Sequence, residues 1–104
     1  MKLGVYFKEL KIGTLSKVND EYHYIVNDRN KKKAIEKGYP LFLFNCQEDF
    51  VARELPSSFL ELIPEENIDL YLIAGITKED DDFIKLCKMS MLNLAHADFH
   101  IEAE

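Results

Sequence analysis

Three β-like runs occupy the first 26 residues with almost no chain between them. LGVYFK places Leu3, Val5 and Phe7 on one face at period two. ELKIGTLSK follows at once, with Ile12 and Leu15 out of strict phase. Gly13 lies between them, where a backbone without Cβ bends most easily, so a bulge is expected there. Asn19 and Asp20 form a turn signal before EYHYIV. A parallel pair needs a crossover of about a dozen residues, so connections this short dictate an antiparallel meander.

Residues 27–38, NDRNKKKAIEKG, are polar and end on Gly38, which fits a short glycine-capped helix. YPLFLFNC, residues 39–46, is expected as a fourth strand. Pro40 is tolerated near a strand start, and the unbroken apolar run implies burial on both faces. The second half reads as helical. Ser58 and Glu61 have capping-box spacing, and Phe59, Leu62 and Ile63 follow at i, i+3, i+4. Pro64 disfavours helical backbone at Ile63 and suits the first turn of a new helix, so it is read as a corner between two helices. Glu65 and Glu66 then sit where a helix N-terminus favours negative charge.

The helix after the corner, NIDLYLIAG, ends at Gly75. Thr77 and Asp80 make a second capping box, opening EDDDFIKLCKM with Phe83, Leu86 and Cys87 facing in. In the tail, Met91, Ala95, Ala97, Phe99 and Ile101 share one strand face, so a last strand is expected to return to the sheet. The fold class is α+β: one domain over residues 1–104, with a small antiparallel sheet of about five strands and two or three helices in the second half.

The apolar fraction of 47% lets a chain of 104 residues build one core. Thirteen Lys plus Arg stand against 19 Asp plus Glu, a net charge of −6. Phosphate binding needs a dense positive face, so no direct nucleic-acid contact is expected, and the balance suits solubility or a basic protein partner. Cys46 and Cys87 are too few for a disulfide scaffold and read as reduced core residues. No stretch reaches the ~20 apolar residues of a membrane helix. MKLGVYFKEL has neither an apolar h-region nor a cleavage site. A cytoplasmic protein with no membrane partner is expected.

Few residues suggest chemistry. His96-x-Asp98-x-His100 on a strand would put three metal-type ligands on one face, but no fourth ligand or supporting shell is visible, and a solvated face is the expectation. EDDD, residues 79–82, reads as an acidic first turn and lacks the spacing of a calcium loop. KKK, residues 31–33, reads as a solvated loop, since its flanks offer no aromatics for stacking. No phosphate loop is present, and no local Ser-His-Asp or Cys-His set appears. No catalytic residue, metal or cofactor is expected. One feature rises above this background. In IDLYLIAG the apolar residues circle the helix, which demands cover on every side. In a domain this small, one of those sides is expected to meet another protein.

LGVYFKELKIGTL resembles the strand, short turn and xxGxL strand of the N-terminal subdomain of HipA-type serine/threonine kinases, from bacterial toxin–antitoxin systems. YPLFLFN falls where that family has a proline-led strand. ELPSSFLELIPEEN is similar to the family's P-x-F-F-x-N-L-L-P-E-G motif, matching at Phe59, Leu62, Ile63, Pro64 and Glu65. EDDDFIKL resembles the acid-led helix that follows. The resemblance covers nearly the whole chain and is most specific over residues 55–66. Departures are Glu66 in place of the usual glycine, Glu61 near the usual asparagine, and Ser90, Leu92 and Ala95 across the family's G-x-D-x-x-G-A turn. The family's ATP-binding and catalytic motifs come after this subdomain and do not occur in these 104 residues.

That arrangement resembles the HipS-type small proteins of three-component HipBST systems, where the kinase lacks this subdomain and the small protein binds it as an antitoxin. The resemblance implies a non-enzymatic regulator of a HipA-like (HipT-type) kinase. It also implies a HipB-like helix-turn-helix DNA-binding protein in the same complex. The expected contact residues are Phe59, Leu62, Ile63, Pro64, Glu65, Glu66 and Asn67. On this reading Ile63→Asp weakens the complex while the domain stays folded. The alternative is a structural subunit that completes the kinase fold and supports its activity. A third reading is a small metal-dependent enzyme using His96, Asp98 and His100.

Overall fold

The computed structural model describes residues 1–63, 68–92 and 97–104. Its centre is the expected meander: β1 (Lys2–Phe7), β2 (Leu10–Val18) and β3 (Glu21–Val26). The two hairpin turns are tight. Asn19 and Asp20 both take positive φ, 51° and 65°, whose twist matches that of the flanking strands. β4 (Phe50–Ala52) adds beside β3, and β5 (Phe99–Ala103) adds beside β1. The order is β4-β3-β2-β1-β5, with every pair antiparallel.

The bulge falls where the broken alternation predicts it. Val5 pairs with Gly13 but Tyr6 pairs with Lys11, so Ile12 is the extra residue. Ile12 and Gly13 are consecutive and both buried at the bulge. The bulge also gives α1 (Asp28–Glu36) its anchor. The Ile12 carbonyl accepts from the Asn27 amide at 2.6 Å, and the Lys11 carbonyl accepts from Asn30 Nδ2 at 2.9 Å. Asn27 caps that helix by accepting from the Asn30 amide, and Gly38 closes it at φ 78°. Lys31, Lys32 and Lys33 lie on this helix rather than in a loop.

The expected fourth strand over residues 39–46 is not one. Leu41–Leu43 forms a 3-10 turn, with Leu41 and Cys46 buried while Phe42 and Leu43 face solvent. A continuous apolar run carries no phase, and here it alternates by turn geometry instead of by pleat. The place beside β3 is taken by Phe50–Ala52, a three-residue edge strand that the sequence reading missed.

Helices follow in the second half: α2 (Ser57–Leu60), α3 (Ile68–Ala74) and α4 (Asp82–Ser90). Neither capping box forms as expected. Ser58 does not cap α2. Its hydroxyl is buried, accepts from the Asn45 amide and donates to Asn45 Oδ1, both at 2.9 Å. In the second box only one half forms, with Asp80 Oδ2 accepting from the Thr77 amide at 3.0 Å. Asp81 caps α4 through the Ile84 amide. As expected, Phe83, Leu86 and Cys87 of α4 are buried, as are Phe99 and Ile101 of β5. Gly75 ends α3 at φ 73°. Met91 and Ala97 are exposed and precede β5, so they do not join its inner face, and Ala95 lies outside the described residues. The core is a single cluster of Leu3, Val5, Ile12, Leu15, Tyr24 and their neighbours, closed by Leu41, Phe59 and Leu86.

Candidate partner-binding surface

α2 is a single turn after Pro56, and its two sides have opposite fates. Phe59 is fully buried and meets Tyr24, Phe50 and Phe99 edge-on, at ring distances of 5.6–6.0 Å. Ile63 is only 6% exposed, and Leu62 is half-buried. Ser57, Leu60 and Glu61 point outward. Together with the accessible edge of Ile63 they line a depression of about 320 Å³.

The sequence-expected contact set therefore divides. Phe59 belongs to the core, and Ile63 and Leu62 anchor the corner while only grazing the surface. Pro64, Glu65, Glu66 and Asn67 lie outside the described residues. The sequence reading missed Leu60, which is 40% exposed beside the depression.

α3 presents the larger apolar surface. Leu72 and Ile73 are 75% and 70% exposed, while Ile76, just past the helix, is buried. The helix is held from its C-terminal end. Lys88 Nζ of α4 donates to the Gly75 carbonyl at 2.8 Å and to Asp80 Oδ2 at 2.6 Å. Lys85 sits 5.9 Å over the Tyr71 ring. α4 is itself tied to the sheet, where Lys17 Nζ of β2 meets Asp81 Oδ2 at 2.9 Å. Hydrogen bonds from the Ile84 amide and from Lys17 hold the Asp81 carboxyl below its ordinary value. These ties hold the C-terminal end of α3, from which Leu72 and Ile73 extend into water.

Comparisons with family models, with curated proteins and with solved structures give no match. The chemistry of the site is therefore read from its own residues.

Of the histidine motif, Asp98 and His100 lie among the described residues. His100 stacks on Tyr6 at 5.4 Å, and its Nδ1 lies 3.1 Å from the Ala97 carbonyl oxygen, to which only a protonated Nδ1 can donate. Asp98 precedes β5, and His96 lies outside the described residues. Among the described residues no three His, Cys, Asp or Glu side chains converge on one point. Both cysteines are free and buried. Burial pushes the Cys46 thiol up to about 11 and raises that of Cys87 as well, the opposite of a reactive thiolate site. Among the described residues no helix is long and apolar enough to cross a membrane.

Proposed function

We propose that this chain is a non-enzymatic component of a bacterial toxin–antitoxin system that binds a HipA-like serine/threonine kinase lacking this subdomain, and neutralises or regulates it. The observation that carries the reading is α3. Two large aliphatic residues, Leu72 and Ile73, stand exposed on a helix tied at its C-terminal end to α4. Water pays no favourable term to such a surface, and burying one aliphatic side chain contributes about 1.5–3 kcal/mol. The depression at Ser57, Leu60, Glu61 and Ile63 extends the candidate contact to the segment that resembles the kinase family. In the kinases this chain resembles, that subdomain packs against the kinase body, and an exposed apolar face suits the same kind of contact.

Charge supports a basic counterpart. Residues 53–104 hold twelve acidic side chains against four basic ones. Such a bias accelerates encounter with a positive surface and makes association salt-dependent.

The test is paired expression of the kinase alone and with this protein, scoring growth and co-purification. Relief of toxicity with co-purification supports a direct antitoxin. Co-purification with unrelieved or stronger toxicity supports the alternative, a subunit that completes the kinase fold. No association refutes both. A HipB-like helix-turn-helix protein belongs to the same proposal, and its presence in the purified complex is scored in the same experiment.

A further inference from the structure

We infer that the cavity between Phe44 and Phe50 receives an arginine or lysine side chain from a protein partner. The cavity holds about 500 Å³, and its lining includes Phe44, Phe50, Glu48, Asp49, Asn45 and Gln47. That volume lies in the range of side-chain and small-ligand sites.

The walls are set before any ligand arrives. Phe44 stacks on Phe99 at 4.5 Å, and Phe50 stacks on Tyr24 at 5.3 Å, so the core holds both rings in place. The loop between them is pinned at three points. The Asn45 amide donates to Ser58 Oγ at 2.9 Å, the Cys46 carbonyl accepts from Tyr24 at 2.8 Å, and Asp49 Oδ1 accepts from the Val26 amide at 2.7 Å. The last bond keeps a carboxylate at the cavity lining, next to exposed Glu48. Preorganised walls lower the ordering cost of an incoming group.

The lining selects charge and shape. Aromatic faces attract a cation, and carboxylates hydrogen-bond one. An anion would meet Glu48 and Asp49, and an apolar group would gain nothing from either carboxylate. No Lys or Arg of the described residues lines the cavity, so no such internal cation occupies it. The source is a protein because of what adjoins the site. Phe42 and Leu43, immediately before Phe44, are 76% and 64% exposed. A basic side chain carried on a protein surface brings apolar area to cover them, and a free amine does not. The inference rests on this lining and not on the kinase reading.

The experiment is an NMR titration of the ¹⁵N-labelled full chain with acetyl-Ala-Arg-Ala-amide. Saturable shifts confined to residues 42–52 and 56–58 are expected, with a dissociation constant of about a millimolar. The same peptide with citrulline, isosteric and uncharged, is expected to bind at least about fivefold more weakly. Glu48→Gln, at an exposed position, should weaken the arginine peptide about threefold or more without moving the melting temperature. Equal binding of the citrulline peptide, or no saturable shift, overturns the inference. Agmatine binding more tightly than the peptide overturns the protein source and leaves a small cationic ligand. A kinase that fails to bind while the arginine peptide does would sink the proposed function and leave this site standing.

Discussion

The Tyr24 hydroxyl donates to the Cys46 carbonyl oxygen at 2.8 Å, from a ring that fills the space a side chain at Gly13 would need. This contact joins the bulge of β2, the middle of β3 and the loop before β4. Burial raises the Tyr24 phenol far above its ordinary value, so it stays protonated and a donor at every accessible pH. Tyr24→Phe leaves the buried carbonyl without that partner and should destabilise the domain by about 1–3 kcal/mol, read from urea unfolding.

Gly13→Ala attacks the same contact from the other side. A Cβ at Gly13 would lie 2.4–2.6 Å from three atoms of the Tyr24 ring system. Overpacking of this kind costs about 1–3 kcal/mol. Combined with Tyr24→Val, which removes the ring, the loss should be smaller than the sum of the two single losses. A double-mutant cycle that is additive would show that the two residues do not meet.

Ser58→Ala removes both hydrogen bonds to Asn45 and should cost about 1–2 kcal/mol. If Ser58 instead acted as an ordinary helix cap, Ser58→Asn would preserve stability. The bonds to Asn45 predict that it does not, because the larger amide does not fit a site that is 6% exposed.

Glu9 supplies the pH dependence. Lys37 Nζ at 2.7 Å, its own backbone amide and the Tyr39 hydroxyl at 2.9 Å hold its carboxyl at about 2, against an ordinary 4.5. The folded value is depressed, so the contribution to stability is complete above about pH 4.5 and is lost as the pH falls toward 2. A carboxyl-carbon NMR titration should find a midpoint near 2 for Glu9. Glu9→Gln should flatten the acid limb of the stability curve within that window. A midpoint near 4.5 would show that the three partners do not act in solution.

How much of this was legible in the sequence depended on phase. β1, β3, α4 and β5 announced themselves because their apolar residues keep a period, α1 because a polar stretch ends on Gly38, and Gly13 marked the bulge because Ile12 and Leu15 break one. Leu41, Phe42 and Leu43 offered three apolar letters with no polar residue between them, so nothing distinguished the buried one from the two exposed ones. Ser58 and Glu61 had the spacing of a cap, but a hydroxyl bonds whichever partner the fold brings, and here Asn45 arrives from 13 residues away. The contact set failed in part for a related reason. Phe59 and Ile63 match a family motif, and a motif is silent on whether it records a core or a surface. The apolar residues around IDLYLIAG mark a different surface, where Leu72 and Ile73 are left uncovered.

That distinction sets the substitutions. Ile63→Asp places a carboxylate at a site only 6% exposed and should cost about 3 kcal/mol or more, so it tests folding and not binding. Leu72→Asp and Ile73→Asp stand in water and should each cost about 1 kcal/mol or less. Thermal unfolding of the three variants separates the classes.

The most direct test of the central claim is the affinity of the purified protein for the HipA-like kinase lacking this subdomain, measured for wild type and for the Leu72→Asp/Ile73→Asp double variant under conditions where both are folded. Docking through α3 predicts a loss of about tenfold or more. Equal affinities would contradict it and place the contact elsewhere on the surface.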